Sequence, residues 1–465
     1  MAFEPQASGA LPSQEWTIFL EKASRLASSV PGHQKTLALS SPSEWAGTPE
    51  AANFRQSQTG EAAALLPKSD LWSALDGLDD PAGALERLAR GAVLDLPEWQ
   101  LLRRWLRASE AFRTMALPEL PLPQVRAFLE ALPAASQAVS KLDRLLTPEG
   151  ELSEAASPRL QLLANELRSL RREISSRLES LSREYLQKGV LQGEYTDVRD
   201  GRYVLPVKIS SQNEVPGLVY EASASRQTVF IEPREVTEVN NRLRQKHNDW
   251  MQEVHRILVE TAREFMPLSG SWRAAVDLLA HWDAVHARAA IAMRYHGLAL
   301  ECGGNEIDLP STAHPLLWWS LPEEKIQRNS LHLAGSQRAL LITGPNTGGK
   351  TVLLKTLGMA ALFARTGFFF PTDRPGRVPL FRNVFTDLGD TQSIESQLSS
   401  FSGHLVQFRE ILEKADTGSL VLLDELNSAT DPEEGAALSR ALLEDRKSTR
   451  LNSSHVSESR MPSSA

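Results

Sequence analysis

The chain of 465 residues has a single cysteine, Cys302. No intramolecular disulfide can form, and a metal cluster built on cysteines is excluded. One thiol suits a reducing compartment, so a cytoplasmic location is expected. An excess of positive charge is also missing: 50 Lys and Arg stand against 58 Asp and Glu, for a formal net charge of −8. That balance argues against wholesale adhesion to nucleic acid, so any such binding has to come from a local basic surface. Long apolar runs are absent as well. The greasiest window, Met359 to Pro371, is too short to cross a bilayer and is interrupted by Arg365, and no membrane partner is expected. The opening residues MAFEPQASGA have neither a basic start nor an apolar core, so they do not read as a signal peptide. His281 and His286 are five apart, on different faces of a helical pattern, which makes a shared metal site improbable.

What is present centres on Gly344 to Thr351, GPNTGGKT, which fits the pattern G-x-x-x-x-G-K-[ST]. It follows the apolar run Ala339-Leu340-Leu341-Ile342 and precedes the helix-like Val352 to Leu357, the strand, loop and helix context that the motif needs. Successive backbone N–H groups of such a loop converge on phosphate oxygens, and the following helix adds its positive end. Gly344, Gly348 and Gly349 supply unhindered backbone, and with Pro345, Asn346 and Thr347 they would line an ATP site. Lys350 would reach the β- and γ-phosphates, and the Thr351 hydroxyl would ligate Mg2+. The plain alternative is a Gly-rich turn between a strand and a helix.

A second element bears on hydrolysis. Ser419 to Leu423 is an apolar run ending in Asp424-Glu425, as expected of a buried parallel strand delivering carboxylates to a phosphate site. Asp424 would hold magnesium from one ligand further out, through the groups that bind it, while Glu425 would orient or deprotonate water; Lys350 and Glu425 are the catalytic candidates. By itself, an apolar run before Asp-Glu could equally be a strand entering a solvated turn. Its position about 75 residues after the Gly-rich loop makes it more specific.

The fold class expected is mixed. Residues 1–121 read as a helical region, with amphipathic spacing at Trp16, Phe19, Leu20, Ala23, Leu26 and at Leu101, Leu102, Trp105, Ala108, Phe112. Residues 122–300 read as a core carrying two long helices. Leu160, Leu163, Leu167, Leu170, Ile174, Leu178, Leu181 and Tyr185 recur at alternating steps of three and four, and Val236, Val239, Leu243, Trp250, Val254 and Ile257 form a second run. The pair reads as an antiparallel coiled hairpin. Between them, residues 191–233 read as a β excursion turning at Asp200-Gly201. Arg199, Arg202, Lys208 and Arg226 would be exposed at that tip and could grip phosphates, or could be ordinary solubilising charges. Residues 301–445 alternate strands and helices, which implies a mainly parallel α/β sheet, a P-loop domain of which only part is present. Residues 446–465, with the string RKSTRLNSSHVS, read as translated cloning or adapter material, the other reading being a disordered tail.

Several motifs in register carry a resemblance. GPNTGGKT, then VFTDLGDTQSIESQLSSFSGHL at Val384 to Leu405, then LVLLDELNSATDPEEG at Leu420 to Gly435, resemble the ABC-like ATPase of the MutS superfamily. Tyr203 to Lys208 and Ser223 to Pro233 resemble more narrowly the short paralogue branch, MutS type two. The resemblance covers roughly Leu142 to Glu444. It implies that Ser399 reaches the γ-phosphate of nucleotide held by a second subunit; its place before a helix suits an anion, although a plain N-cap serine is the alternative. It also implies roles for Asn346 in the GPN signature and for Asp431 in a loop linking the two nucleotide sites of a homodimer. The sequence departs from the family at Asn427-Ser428-Ala429-Thr430, where a Gly-Ala-Gly-Thr run is usual, and it lacks the switch histidine and the Smr nuclease region of full-length members. Phe-x-Glu occurs at Phe19 and Phe128, both within helical patterns, so no mismatch-wedging loop is expected. The resemblance implies a dimeric ATP-driven clamp on branched or recombining DNA that suppresses homologous recombination, or a role on collided ribosomes. A nucleic-acid binding module with an inactive ATPase is the reading from a different class.

Overall fold

Capping residues and glycines set the helix boundaries. The computed structural model describes residues 13–66, 71–193, 195–223, 227–344, 349–387, 409, 411–424 and 457–460. Helix α1 (Ser13–Ser24) leads to α2 (Val30–Ala38), where Ser29 Oγ accepts from Gly32 N at 3.1 Å, and to α3 (Pro49–Leu65), capped in the same way by Thr48. The shorter helices α4 (Ala82–Ala89), α5 (Leu96–Arg113), α6 (Pro123–Ala131) and α7 (Ser136–Leu145) follow. The 30-residue α8 (Pro158–Gln187) starts from Ser157, whose hydroxyl accepts from Leu160 N at 3.0 Å, with proline in the first turn. It stops at Gly189, φ +73°, where Gly189 N donates to Leu186 O and Val190 N to Tyr185 O, the paired bonds of a Schellman end.

Four strands come next: β1 (Asp197–Arg199), β2 (Arg202–Lys208), β3 (Gly217–Ala222) and β4 (Thr228–Pro233). The expected hairpin is present, with Arg199 opposite Arg202 and positive φ at both Asp200 (49°) and Gly201 (74°). Then come α9 (Arg234–Phe265), α10 (Ser269–Arg294), β5 (Leu300–Cys302), β6 (Ile307–Thr312), α11 (Leu317–Ser320), β7 (Asn329–Leu333) and β8 (Leu340–Thr343). The last described elements are α12 (Lys350–Thr366), β9 (Gly376–Val378), β10 (Asn383–Asp387), β11 (Ser419–Leu423) and β12 (Ser457–Arg460). The class is therefore mixed helix and sheet.

The chain divides into two compact units. One comprises residues 81–107 and 134–273. Within it α8 and α9 run antiparallel, because partners late in one helix sit early in the other: Arg177 with Glu235, Glu166 with Lys246, Ser157 with Glu253. The expected stripe is what they bury, with Leu167, Leu170, Ile174, Leu178 and Tyr185 packed on Val236, Val239 and Leu243. Leu181, Trp250 and Val254 are half-buried rather than enclosed. The antiparallel sheet, in the order β1-β2-β4-β3, adds Leu205, Val207, Val229 and Ile231 to that core.

The other unit comprises residues up to 80, residues 108–133 and those from 274 onward. Its core surrounds α12, every residue of which is buried from Thr356 to Thr366. Trp16 and Phe19 of α1 meet Phe363 at ring distances of 6.0 and 4.6 Å, and Phe363 meets Phe370 edge-on at 5.0 Å. Arg365, which interrupts the greasiest window, is buried with its guanidinium on carbonyls of Ala46 (3.1 Å) and Phe381 (3.0 Å). Strand pairing is parallel for β10 with β11 and for β8 with β12, whereas the β5-β9-β6-β7 sheet is mixed. Strand β12 falls in the stretch read as adapter material or a disordered tail; a ladder needs only backbone groups, which any non-proline sequence supplies.

Candidate nucleotide site

Strand β8 is followed by Gly344, φ +153°, and α12 opens after Gly349, φ +78°, backbone angles that favour glycine. Pro345, Asn346, Thr347 and Gly348, between them, lie outside the described residues. Lys350 turns back towards the end of β8, its Nζ donating to Gly344 O at 2.7 Å. The Thr351 hydroxyl donates to the Asp424 carboxylate, which follows directly on β11. That strand is fixed from both faces, by Leu420 and Leu422 in the core around α12 and by Val421 and Leu423 against Phe385 and Ile411. Three of the expected site residues, Lys350, Thr351 and Asp424, are thus brought to one place, all half-exposed. Glu425, Ser399 and Asp431 lie outside the described residues.

The donor set is an ammonium, a hydroxyl and a carboxylate at a helix N-terminus. The oxygen pair suits magnesium, which is commonly held by one or two protein oxygens and completed by substrate phosphates. Among the described residues, no group of three or more His, Cys, Asp or Glu could hold a metal by itself. His281 and His286 instead lie in the α10 region of the core; His286 stacks on Trp72 at 4.5 Å, and burial holds both pKa values down to about 4.

One neighbour of the site has no signal in the sequence. Glu15, in the first turn of α1, pairs with Lys355 of α12 at 3.1 Å and faces His314 Nε2 at 3.5 Å. A lone acid near a helix start reads as a dipole complement, and nothing in its spacing points to a partner so far along the chain.

The tip residues are placed differently from one another. Arg202 is drawn in: it pairs with the fully buried Glu232 at 2.7 Å and donates to Asn241 at 2.6 Å. Asn240 donates to the same carboxylate at 2.8 Å. Lys208 Nζ donates to Gly189 O at 2.7 Å. Arg199 remains at the surface, on Asp197 at 2.7 Å and over the Phe230 ring at 4.2 Å. Arg226 lies outside the described residues.

Residues 340–460, which contain this site, match the protein family described as MutS domain V. The chain is 37% identical over 369 residues to the endonuclease MutS2 of Lacticaseibacillus paracasei, covering 78% of this chain and 46% of that protein. It is 35% identical over 440 residues to the endonuclease MutS2 of Pelotomaculum thermopropionicum, covering 94% and 54%. The chain belongs to the MutS2 family. The endonuclease MutS2 of Thermotoga maritima matches at 35% over 373 residues, 80% of this chain and 48% of the relative. The chain thus spans about half the length of the curated MutS2 proteins it matches. Among its described residues, no helix is long and apolar enough to cross a membrane.

Proposed function

We propose that this MutS2-family chain binds and hydrolyses ATP at the loop opening α12, and that it holds branched or recombining DNA as a nucleotide-dependent dimeric clamp, suppressing recombination. The carrying observation is the meeting of Lys350, Thr351 and Asp424 where β8 and β11 end beside the start of α12. Phosphates bind at such places because strand ends and helix N-termini present unpaired N–H groups and positive potential. Lys350, released from Gly344 O, neutralises the β- and γ-phosphates. The Thr351 hydroxyl and the Asp424 carboxylate hold Mg2+, which supplies positive charge against those oxygens when bound. Glu425, next along the chain, orients or deprotonates the attacking water. Ser399 of a second copy completes the site, so dimerisation follows nucleotide. The family membership supports DNA as the partner.

Phosphate release by the chain and by Glu425→Ala tests the chemistry. The variant is expected to lose turnover by about 100-fold, the usual weight of a general base, while still binding ATP. Equal release from both removes the enzymatic reading and leaves a binding module. Lys350→Ala is expected to lose nucleotide affinity itself. Sedimentation with saturating ATP and Mg2+ tests the dimer: a chain that stays monomeric removes the clamp.

A further inference from the structure

Helix α12 is held unevenly. From Thr356 onward it is wholly buried, but residues 350–355, the turns nearest the loop, are half-exposed or exposed. Two of the ties in those turns are the site contacts themselves, Lys350 to Gly344 and Thr351 to Asp424. A third comes from α1. Glu15 Oε1 lies 3.1 Å from Lys355 Nζ, and Glu15 Oε2 lies 3.5 Å from the Nε2 of His314, a side chain only 5% exposed. Glu15 Oε2 and His314 Nε2 are both buried and neither makes a hydrogen bond, so their approach is a charge contact and not a bond. The same helix is pinned to the far half of α12 by Phe19 on Phe363 at 4.6 Å, and to Phe368 just beyond that helix at 5.0 Å. So α1 spans α12 from its buried half to the turn that follows Thr351.

We infer that Glu15, faced by His314, is a positioning residue for the nucleotide site: through Lys355 it sets the orientation of the first turns of α12, and hence of Lys350 and Thr351. A carboxylate held between a lysine and a histidine, all largely withdrawn from water, interacts more strongly with them than a solvated surface pair would. Burial by itself pushes the Glu15 carboxyl up, yet His314 and Lys355 together hold it below its ordinary value. Glu15 touches no substrate in this scheme. The inference rests on the nucleotide reading of the loop and adds that the N-terminal helix determines how well the loop binds.

The test is binding of a fluorescent ATP analogue with Mg2+ to the chain, to Glu15→Gln, to Lys355→Gln and to the double variant, with thermal melting of each. Each single variant is expected to weaken binding roughly fivefold, with the double variant no weaker than either, the signature of two groups acting through one contact. Glu15→Asp, which keeps the charge but shortens its reach, is expected to fall between. An unchanged Kd with a lowered melting temperature, or additive losses in the double variant, overturns the inference. If the unaltered chain fails to bind the analogue, the nucleotide reading itself falls, so the two failures are separable.

Discussion

The helix pair of one unit and helix α12 of the other are secured by opposite means. Helices α8 and α9 meet along one stripe of leucine, isoleucine and valine, and much of each remains in water. Helix α12 is enclosed from Thr356 onward by aromatic rings of α1, by α3, where Gln56 Nε2 donates to Phe363 O at 3.1 Å, and by Phe368 and Phe370. A stripe tolerates a local defect, because the residues beyond it keep their own partners. An enclosed helix does not, because every side chain lost leaves a cavity on several elements at once. The enclosed helix is also the one that begins at the Gly-rich loop, so damage to that core should reach the nucleotide site, whereas damage to the stripe should stay near the helix pair.

Acid should separate the units most strongly. Burial holds the pKa of His281 and His286 near 4, with Arg288, Lys35 and Arg55 adding to the effect at His281 and Asp76 opposing it at His286. The unfolded chain takes up protons at these rings as pH falls through 6.5, and the folded chain does not until about 4. Stability of that unit is therefore full above 6.5 and declines across the window, on the order of 2–3 kcal/mol per histidine. Asp283, whose carboxyl is raised by burial, acts in the opposite sense and stabilises at the acid end. In the helix-pair unit Glu253 is held near 2, first by its bond from Arg256, so its contribution persists until pH drops below 4.5. Hydrogen exchange at pH 5 should show α12 losing protection before α8. Simultaneous loss would break the contrast.

Truncation comes next. Phe19→Ala removes a ring that is fully buried against Phe363 and Phe368, at an expected cost of about 3–5 kcal/mol. Denaturation followed by exchange should show protection falling in α12 and persisting in α8 and α9. In the other unit, Arg202→Ala leaves the buried Glu232 carboxylate without its cation, at about 3 kcal/mol, and that loss should appear in the sheet at the tip. Either variant loosening both units equally would mean that they unfold as one.

The same contrast explains which features are legible in the sequence. The stripe from Leu160 to Tyr185 is a local, periodic signal, and the Asp200-Gly201 turn is a two-residue one, so both appear where their spacing puts them. The ends of α12 are legible because Gly349 before it and Gly367 after it are punctuation in the chain. Lys350 and Thr351 stand where they do because a strand, loop and helix motif carries its own geometry, and Asp424 joins them from the end of a second apolar strand. The enclosure of α12 is not legible. Trp16 and Phe19 read only as one face of a short amphipathic helix, and no periodicity says that this face meets Phe363, far along the chain. Arg202 does not declare its role for the same reason, since its partner Glu232 sits on β4 and an arginine in a strand looks alike whether it faces solvent or a buried acid.

The smallest effect on stability is expected at Arg199, where the largest consequence is for binding. Its side chain is 38% exposed, paired with Asp197 at 2.7 Å and more loosely with Glu221 at 3.6 Å, and stacked over Phe230. Pairs this exposed contribute little, so Arg199→Ala should cost under about 1 kcal/mol, against the larger loss at Arg202 three positions on. If the tip grips a phosphate backbone, the same substitution should weaken DNA binding and reduce the slope of log affinity against log salt by about one unit, one fewer counterion being displaced. An unchanged slope with unchanged stability would make Arg199 a solubilising charge and move the nucleic-acid surface elsewhere on the chain.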